Sequence, residues 1–316
     1  VRVHRRRTRV PRRRSHMTRP SAIEQALAVL RDGGLVAIPT ETVYGLAADA
    51  SNEDAVRRIF SVKGRPVDHP LIVHIAKPDN LNEWASEVPA SASALAATCW
   101  PGPLTLLVPR AAHVLDLVTG GRPTVGVRVP AHPLTTELLT ALGGGLAAPS
   151  ANLFGRVSPT TADHVRADLG DLVDFILDGG ACPVGVESTI VDCTVDPPQV
   201  LRPGGIANEQ IAAILGGVLS GPEGPSRAAG MLASHYAPRA RVLLADSAAE
   251  AAGLAAAHPG AWVLDLTVDL VAYARSLYAC LREADDRDVP VVVAVMPAAA
   301  GLGHAIRDRL TKAAAG

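Results

Sequence analysis

Short apolar runs and stripes at helical spacing alternate along the chain, and most changeovers fall on Gly, Pro or a packed polar turn. Ser21-Ala-Ile-Glu24 has the form of a capping box, and Ile23, Leu27 and Leu30 follow at helical spacing until Asp32-Gly-Gly. Leu35–Ile38 predicts a buried strand, stopped at Pro39 because proline has no N–H to give to a ladder. A second helix is expected over Asn52–Val62, with Val56, Ile59 and Phe60 inward and Lys63-Gly64-Arg65-Pro66 ending it. Further strands are expected at Leu71–Ile75, Leu106–Pro109, Val125–Val129, Leu146–Ala148, Val173–Leu177, Glu187–Asp192 and Gln199–Arg202. Helices are expected at Ser91–Cys99, Leu134–Leu142, Thr161–Leu169 and Glu209–Leu215. Gly216–Ala229, rich in Gly, Pro and Ser, is the one convincing linker. Beyond it, Val242–Ala245, Ala248–Ala257, Trp262–Leu266, Tyr273–Ala284 and Val289–Val295 alternate strand and helix. That order describes a small, Rossmann-like βαβ domain with a parallel sheet, but it lacks the G-x-G-x-x-G turn of a dinucleotide site. The expected division is an arm at 1–16, a larger α/β domain at 17–215, a linker and lid at 216–240, and a small α/β domain at 241–316.

Composition narrows the class. A length of 316 residues favours two domains, and 48% hydrophobic with 19% charged residues describes a globular chain with ample core. No apolar run approaches the ~20 residues needed to cross a bilayer. Cys99, Cys182, Cys193 and Cys280 form no Cys-x-x-Cys pair, which speaks against structural zinc and a disulfide framework and fits the reducing cytoplasm. Residues 1–16 hold eight arginines and no acidic residue, precede Met17, and lack the apolar stretch of a secretory signal. They are either a disordered basic arm that touches nucleic acid or non-native sequence upstream of a start at Met17. Without those eight arginines the formal net charge of −1 becomes −1 − 8 = −9, which argues against a global nucleic-acid surface.

Chemistry concentrates at strand ends. Thr40, Glu41, Thr42 and Tyr44 follow the first strand, either as an ordinary exit loop or as ligand groups presented at a sheet edge. Lys63-x-Arg65 can grip a polyphosphate, or can be favourable positive charge at a helix C-terminus. Arg128 and Arg202-Pro-Gly-Gly205 add cations at two more strand ends. Ala148-Pro-Ser-Ala-Asn152 places a hydroxyl and an amide in one turn, but without G-x-S-x-G it is no nucleophile elbow. His69, His74, His132 and His164 stand in no recognisable triad spacing, and both H-E-x-x-H and the P-loop are missing. Hydrogen bonding of a nucleotide by Ser150 and Asn152 fits better, with any triphosphate held by another cradle.

Taken together, these pieces resemble one family, the YrdC-like threonylcarbamoyl-adenylate synthases of tRNA modification, in their longer two-domain form. The matching stretches are Pro39-Thr-Glu-Thr-Val-Tyr-Gly45, Lys63-Gly-Arg-Pro66, Trp100-Pro-Gly-Pro-Leu-Thr105, Val127-Arg-Val-Pro130, Ala148-Pro-Ser-Ala-Asn152, Gly185-Val-Glu-Ser-Thr189, Leu201-Arg-Pro-Gly204 and His235-Tyr-Ala-Pro238. Gly301-Leu-Gly and Arg309-Leu-x-Lys-Ala-Ala look like the family's extra C-terminal domain.

The resemblance implies an α/β fold, a twisted, mainly mixed sheet with a concave, positively lined cleft. It implies the reaction of L-threonine, bicarbonate or CO2 and ATP to threonylcarbamoyl-AMP and pyrophosphate, with Mg2+ accompanying ATP. Carried over by position, Thr42, His74, Arg128, the Ala148 backbone and Ser188 would hold threonine. Arg65, His69, Thr124, Ser150, Asn152, Ser158, Arg202 and Tyr236 would hold ATP, with Lys63 and Asn152 close to the phosphates. Lys63, Arg65 and Arg128 would carry the catalytic charge, with no resident protein-bound metal. The product would pass to a tRNA-modifying transferase complex, with direct tRNA contact left open and no membrane partner. Three departures from the family pattern stand out. His69 replaces the usual asparagine, Ala229 replaces a proline, and Leu232-Ala-Ser follows where a basic residue is common. The alternative is an RNA-binding or nucleotide-binding regulatory module using the same cleft.

Overall fold

The computed structural model describes residues 20–217, 219 and 235–316. The arm at 1–16 and most of the expected lid, with Ala229 and Leu232, therefore lie outside the described residues. Nine strands form one mixed sheet: β1 (Val36–Ile38), β2 (Gly45–Asp49), β3 (Ile72–His74), β4 (Leu104–Pro109), β5 (Thr124–Arg128), β6 (Leu146–Ala147), β7 (Phe175–Ile176), β8 (Thr189–Asp192) and β9 (Gln199–Arg202). Their order is β7-β1-β2-β6-β3-β5-β4-β8-β9. Pairing is mixed: β1–β7, β3–β5 and β4–β8 run parallel, while β1–β2, β2–β6, β3–β6, β4–β5 and β8–β9 are antiparallel. The expected α/β class with a mixed sheet is what the chain forms. The second sheet is the expected parallel one, with β10 (Arg241–Ala245), β11 (Trp262–Leu264) and β12 (Val291–Val295) in the order β10-β12-β11.

Local signals explain most element boundaries. The Ser21 box closes in both directions, Ser21 N–H donating to Glu24 Oε2 at 2.6 Å and Glu24 N–H to Ser21 Oγ at 3.2 Å. The helix Glu53–Lys63 runs to Gly64, whose φ of +62° is the left-handed conformation that ends helices. The helix Leu270–Asp286 begins three residues before its expected start, because Asp269 accepts from the N–H groups of Val271 and Ala272. β2 was not foreseen: Gly45-Leu-Ala-Ala-Asp49 has no β-branched residue, and it is extended because β1 and β6 pair with its two edges. The helix Gly303–Ala314 was also missed, and its start carries no side-chain cap to announce it.

The two sheets share packing. Val43, Val157 and Val186 of the large domain belong to one buried cluster with Leu277, Tyr278, Ile306 and Leu310 of the small one. Gly185 lies against the helix Leu270–Asp286 so closely that a Cβ there would meet Arg275 Cα at 2.4 Å.

Candidate active site

Pro39 ends β1, and Thr40 then folds the following turn on itself. Its Oγ1 donates to Val43 O at 2.6 Å and accepts from the N–H groups of Thr42 and Val43 at 3.1 and 3.2 Å. Thr42 is thereby aimed so that its Oγ1 accepts from Arg128 Nη1 at 2.9 Å. Ala148–Asn152 is zipped onto this turn by Leu46 N–H donating to Pro149 O and Ala151 N–H donating to Tyr44 O, both at 2.8 Å. β5 delivers Arg128 from its last position, and His74 is its register partner at the end of parallel β3. Two antiparallel neighbours, β8 and β9, bring Ser188 and Arg202 together: Arg202 Nη2 donates to Ser188 O at 2.8 Å and to its Oγ at 3.1 Å.

These elements enclose one open cleft of ≈ 590 Å³, counting solvent at its mouth. Thr42, Arg65, His74, Arg128, Ala148, Ser150, Ser188, Arg202 and Tyr236, all picked out from the sequence, line it. Glu187 and His235 line it as well and were missed as site residues, although both stood inside quoted motifs. Lys63, His69, Thr124, Asn152 and Ser158 do not contribute to the lining. Lys63 is buried, with Nζ donating to Ser150 O at 2.6 Å and to Asn152 O, so it braces the loop that presents Ser150. Burial, then the Arg65 charge, holds its ammonium well below its usual pKa. Asn152 spends its amide N–H groups on the carbonyls of Leu153 and Arg156. Thr124 opens β5 at the end away from Arg128, about 13 Å along the strand at 3.3 Å per residue. His69 stands edge-on to Phe154 at 5.4 Å, beside the Arg65 guanidinium that lies 5.7 Å from the same ring.

Electrostatics divide the cleft. Arg128 Nη2 lies 2.7 Å from Glu41 Oε1, a close ion pair without hydrogen-bond alignment. Burial, then the neighbouring Arg128, pushes His74 down to about 3, so its imidazole is neutral. Burial brings Arg65 down to about 10, still a cation at neutral pH. Burial would raise the Glu187 carboxyl, but Arg309, Arg202 and the hydrogen bonds of Ser158 and Arg309 outweigh it and hold it at about 2. Burial lowers His235 to about 3 and raises Tyr236 to about 12. Tyr236 has a φ of +62°, a conformation that a bulky residue adopts only where its surroundings enforce it. Buried Arg65 Nε, His74 Nδ1, His235 Nδ1 and the Tyr236 hydroxyl have no hydrogen-bond partner among the described residues. Buried polar groups are normally paired, so four orphans around one cleft mark a place where a ligand supplies the partners.

Among the described residues no group of three or more His, Cys, Asp or Glu side chains is arranged to hold a metal ion. Glu41 and Glu187 each lie 2.7 Å from an arginine. Such a donor set fits Mg2+ that arrives on a triphosphate with its waters, not a dedicated protein cage.

Residues 28–204 match the Sua5/YciO/YrdC family model, described as telomere recombination, and residues 206–315 match the model described as threonylcarbamoyl-AMP synthase, C-terminal domain. Threonylcarbamoyl-AMP synthase of Pyrococcus abyssi is 41% identical over 92% of this chain and 93% of its own length. The chain belongs to the threonylcarbamoyl-AMP synthase family. With both models matched in succession it has the family's two-domain form, and like its namesakes it is an enzyme of the nucleotidyltransferase kind. The family's Bacillus subtilis member is 40% identical over 95% of this chain and 94% of its own length. The crystal structure of P. abyssi Sua5 complexed with L-threonine superposes with a TM-score of 0.87 at 39% identity, covering 93% of this chain and 94% of that one. Among the described residues no helix is long and apolar enough to cross a membrane.

Proposed function

We propose that this chain makes threonylcarbamoyl-AMP and pyrophosphate from L-threonine, bicarbonate or CO2 and ATP, in the cytoplasm, for the threonylcarbamoyladenosine modification of tRNA. The observation that carries this reading is the meeting of Arg65, Arg128, Ser150, Ser188 and Arg202, from five separate segments, around one cleft. The P. abyssi relative with bound L-threonine supports the choice of amino acid.

Thr42, His74, Arg128, the Ala148 backbone and Ser188 take threonine. Arg128 receives its carboxylate, as a guanidinium is suited to do. A neutral His74 beside it adds no competing charge. Arg65, Ser150, Arg202 and Tyr236 take ATP in a positively lined half of the cleft. Ser158 and Asn152 support that half from behind, while roles for His69 and Thr124 in holding ATP rest on the family resemblance alone. Threonine's amine adds to bicarbonate with loss of water, or to CO2 with loss of a proton, to give a carbamate. A carbamate oxygen attacks the α-phosphorus, the bond to the β-phosphate oxygen breaks, and pyrophosphate leaves. No covalent enzyme nucleophile is required, so positioning and charge neutralisation carry the rate. Mg2+, when bound with ATP, neutralises phosphate charge. The product passes to a tRNA-modifying transferase complex.

The test is pyrophosphate release from ATP and bicarbonate with each amino acid supplied in turn. L-Threonine alone should support turnover. Release that ignores the amino acid would overturn the proposal, and salt-sensitive RNA binding without release would favour a binding module.

A further inference from the structure

The small domain reaches the back wall of the cleft. Arg309, on the helix Gly303–Ala314, is 0% exposed. Its Nε donates to Glu187 Oε2 at 2.7 Å and its Nη1 to Pro203 O at 3.0 Å, the residue directly after Arg202. Its guanidinium carbon lies 5.1 Å from the centre of the Tyr236 ring. Tyr278 donates its hydroxyl to the same Glu187 Oε2 at 2.8 Å, while Ser158 Oγ donates to Oε1 at 2.7 Å. One turn beyond Tyr278, Arg282 binds both Asp168 oxygens at 2.9 and 2.6 Å and donates to the carbonyls of Val157 and Ser158. Ser158, the Arg202–Pro203 turn and Tyr236 all belong to the nucleotide side of the cleft. All three are held through side chains of the small domain.

We propose that Arg309 is a positioning residue for the nucleotide half of the cleft, acting through Glu187 and Tyr236 to fix Ser158, Arg202 and the Tyr236 ring. The small domain is then part of the ATP site, with no ligand of its own required. This rests on the reading of the cleft given above. A buried ion pair can also be mere core, and often adds little net stability, so burial alone does not make the case. What separates the two roles is selectivity. A core contact affects both substrates alike, whereas a nucleotide-side brace affects ATP first.

The charged and titratable groups facing Glu187 are Arg309 on the last helix (itself also bonded to Asp308), Tyr278, Arg202 on β9, and His235 and Tyr236. His235 is neutral and both tyrosines are protonated around neutrality, so Arg309 and Arg202 supply the positive charge that keeps the carboxyl ionised. Remove Arg309, and burial lifts the carboxyl towards protonation.

The experiment is steady-state pyrophosphate release by the full chain, with ATP and L-threonine varied separately from mildly acid to mildly alkaline pH. Arg309→Met should raise the KM for ATP about tenfold or more, with less than about threefold change for threonine. Its activity should climb with pH as Glu187 ionises, and adding Glu187→Gln should flatten that slope. Arg309→Lys, which keeps the charge, should remain flat. An equal change in both KM values, or a loss that ignores pH and Glu187→Gln, would reduce Arg309 to a core contact. If Arg309→Met does not fold, Tyr278→Phe decides, since it deletes one hydroxyl and opens no cavity. A rise of about two- to fivefold in the ATP KM alone is expected, and no change or an equal change overturns the proposal. Failure of the unaltered chain to release pyrophosphate would sink the function, not the brace. Calorimetry with a non-hydrolysable ATP analogue would then read the same weakening directly.

Discussion

Two arginine–glutamate pairs flank the cleft at the same 2.7 Å separation and are built in opposite ways. On one side, Arg128 faces the cavity, bonds Thr42 and Gly102 O, and meets Glu41 without hydrogen-bond alignment. On the other, Glu187 has both oxygens filled by Ser158, Tyr278 and Arg309, and Arg309 is capped by the Tyr236 ring. An arginine whose partner is loosely engaged can exchange it for an incoming carboxylate, because one charge-assisted contact replaces another. Glu187, with both oxygens filled, has nothing to exchange, and breaking its pair strands a buried charge. One pair is thus suited to recognition and the other to support.

The sharpest way to break this contrast is Arg128→Ala. Loss of a buried, hydrogen-bonded charge costs about 2–5 kcal/mol, so the threonine KM should rise roughly thirtyfold or more while the ATP KM moves far less. Equal effects would remove Arg128 from the threonine side. Next comes Glu187→Gln, expected to cost about 2–3 kcal/mol at neutral pH, read as a lower urea midpoint. Its pH dependence has a definite sign. The Glu187 carboxyl lies at about 2 in the folded chain against a usual 4.5, so its stabilisation is complete above 4.5 and is lost as pH falls towards 2. Urea midpoints measured through that window should fall less steeply in the Gln variant. His74 and His235, held neutral at about 3 against the usual 6.5, account for a separate loss between 6.5 and 3 that survives the substitution.

A smaller effect is expected at Lys63. Lys63→Met frees the carbonyls of Ser150 and Asn152 and should lower kcat/KM for ATP about tenfold, or about 1.4 kcal/mol. Unchanged ATP kinetics would make this cation purely structural. The smallest is Glu53→Ala, which breaks an exposed pair with Arg57 and should cost less than about 0.5 kcal/mol in the same urea measurement.

The side of the cleft nearest the opening turn was the more legible in sequence. Thr42, Arg128 and Ala148 each follow or end a short apolar run, Ser188 directly precedes one, and neighbouring strand ends share one edge of a sheet. Arg309 is 122 residues from Glu187, and no local pattern announces a contact at that range. The polar turn after β1 revealed Glu41 as a carboxylate but not as the partner of Arg128, which arrives from β5 in a distant stretch of the chain. Lys63, Asn152 and Ser158 carry the expected chemistry but spend it on the protein itself. Residue type reports what a group can bind, whereas its partner depends on which way the backbone turns it. β2 is strand by tertiary demand, since its alanines have little preference for extended backbone.

Gly185 has a φ of +82° and leaves no room for even a methyl group before the backbone of Arg275. Its lack of a side chain sets how near the two halves of the molecule can approach, and so whether a guanidinium from the last helix can arrive behind the catalytic wall. A chimera that joins this chain's first two hundred residues to a foreign C-terminal half would need to reproduce that spacing. Otherwise a stranded acid would be left behind the cleft, so the halves are inheritable as a matched set.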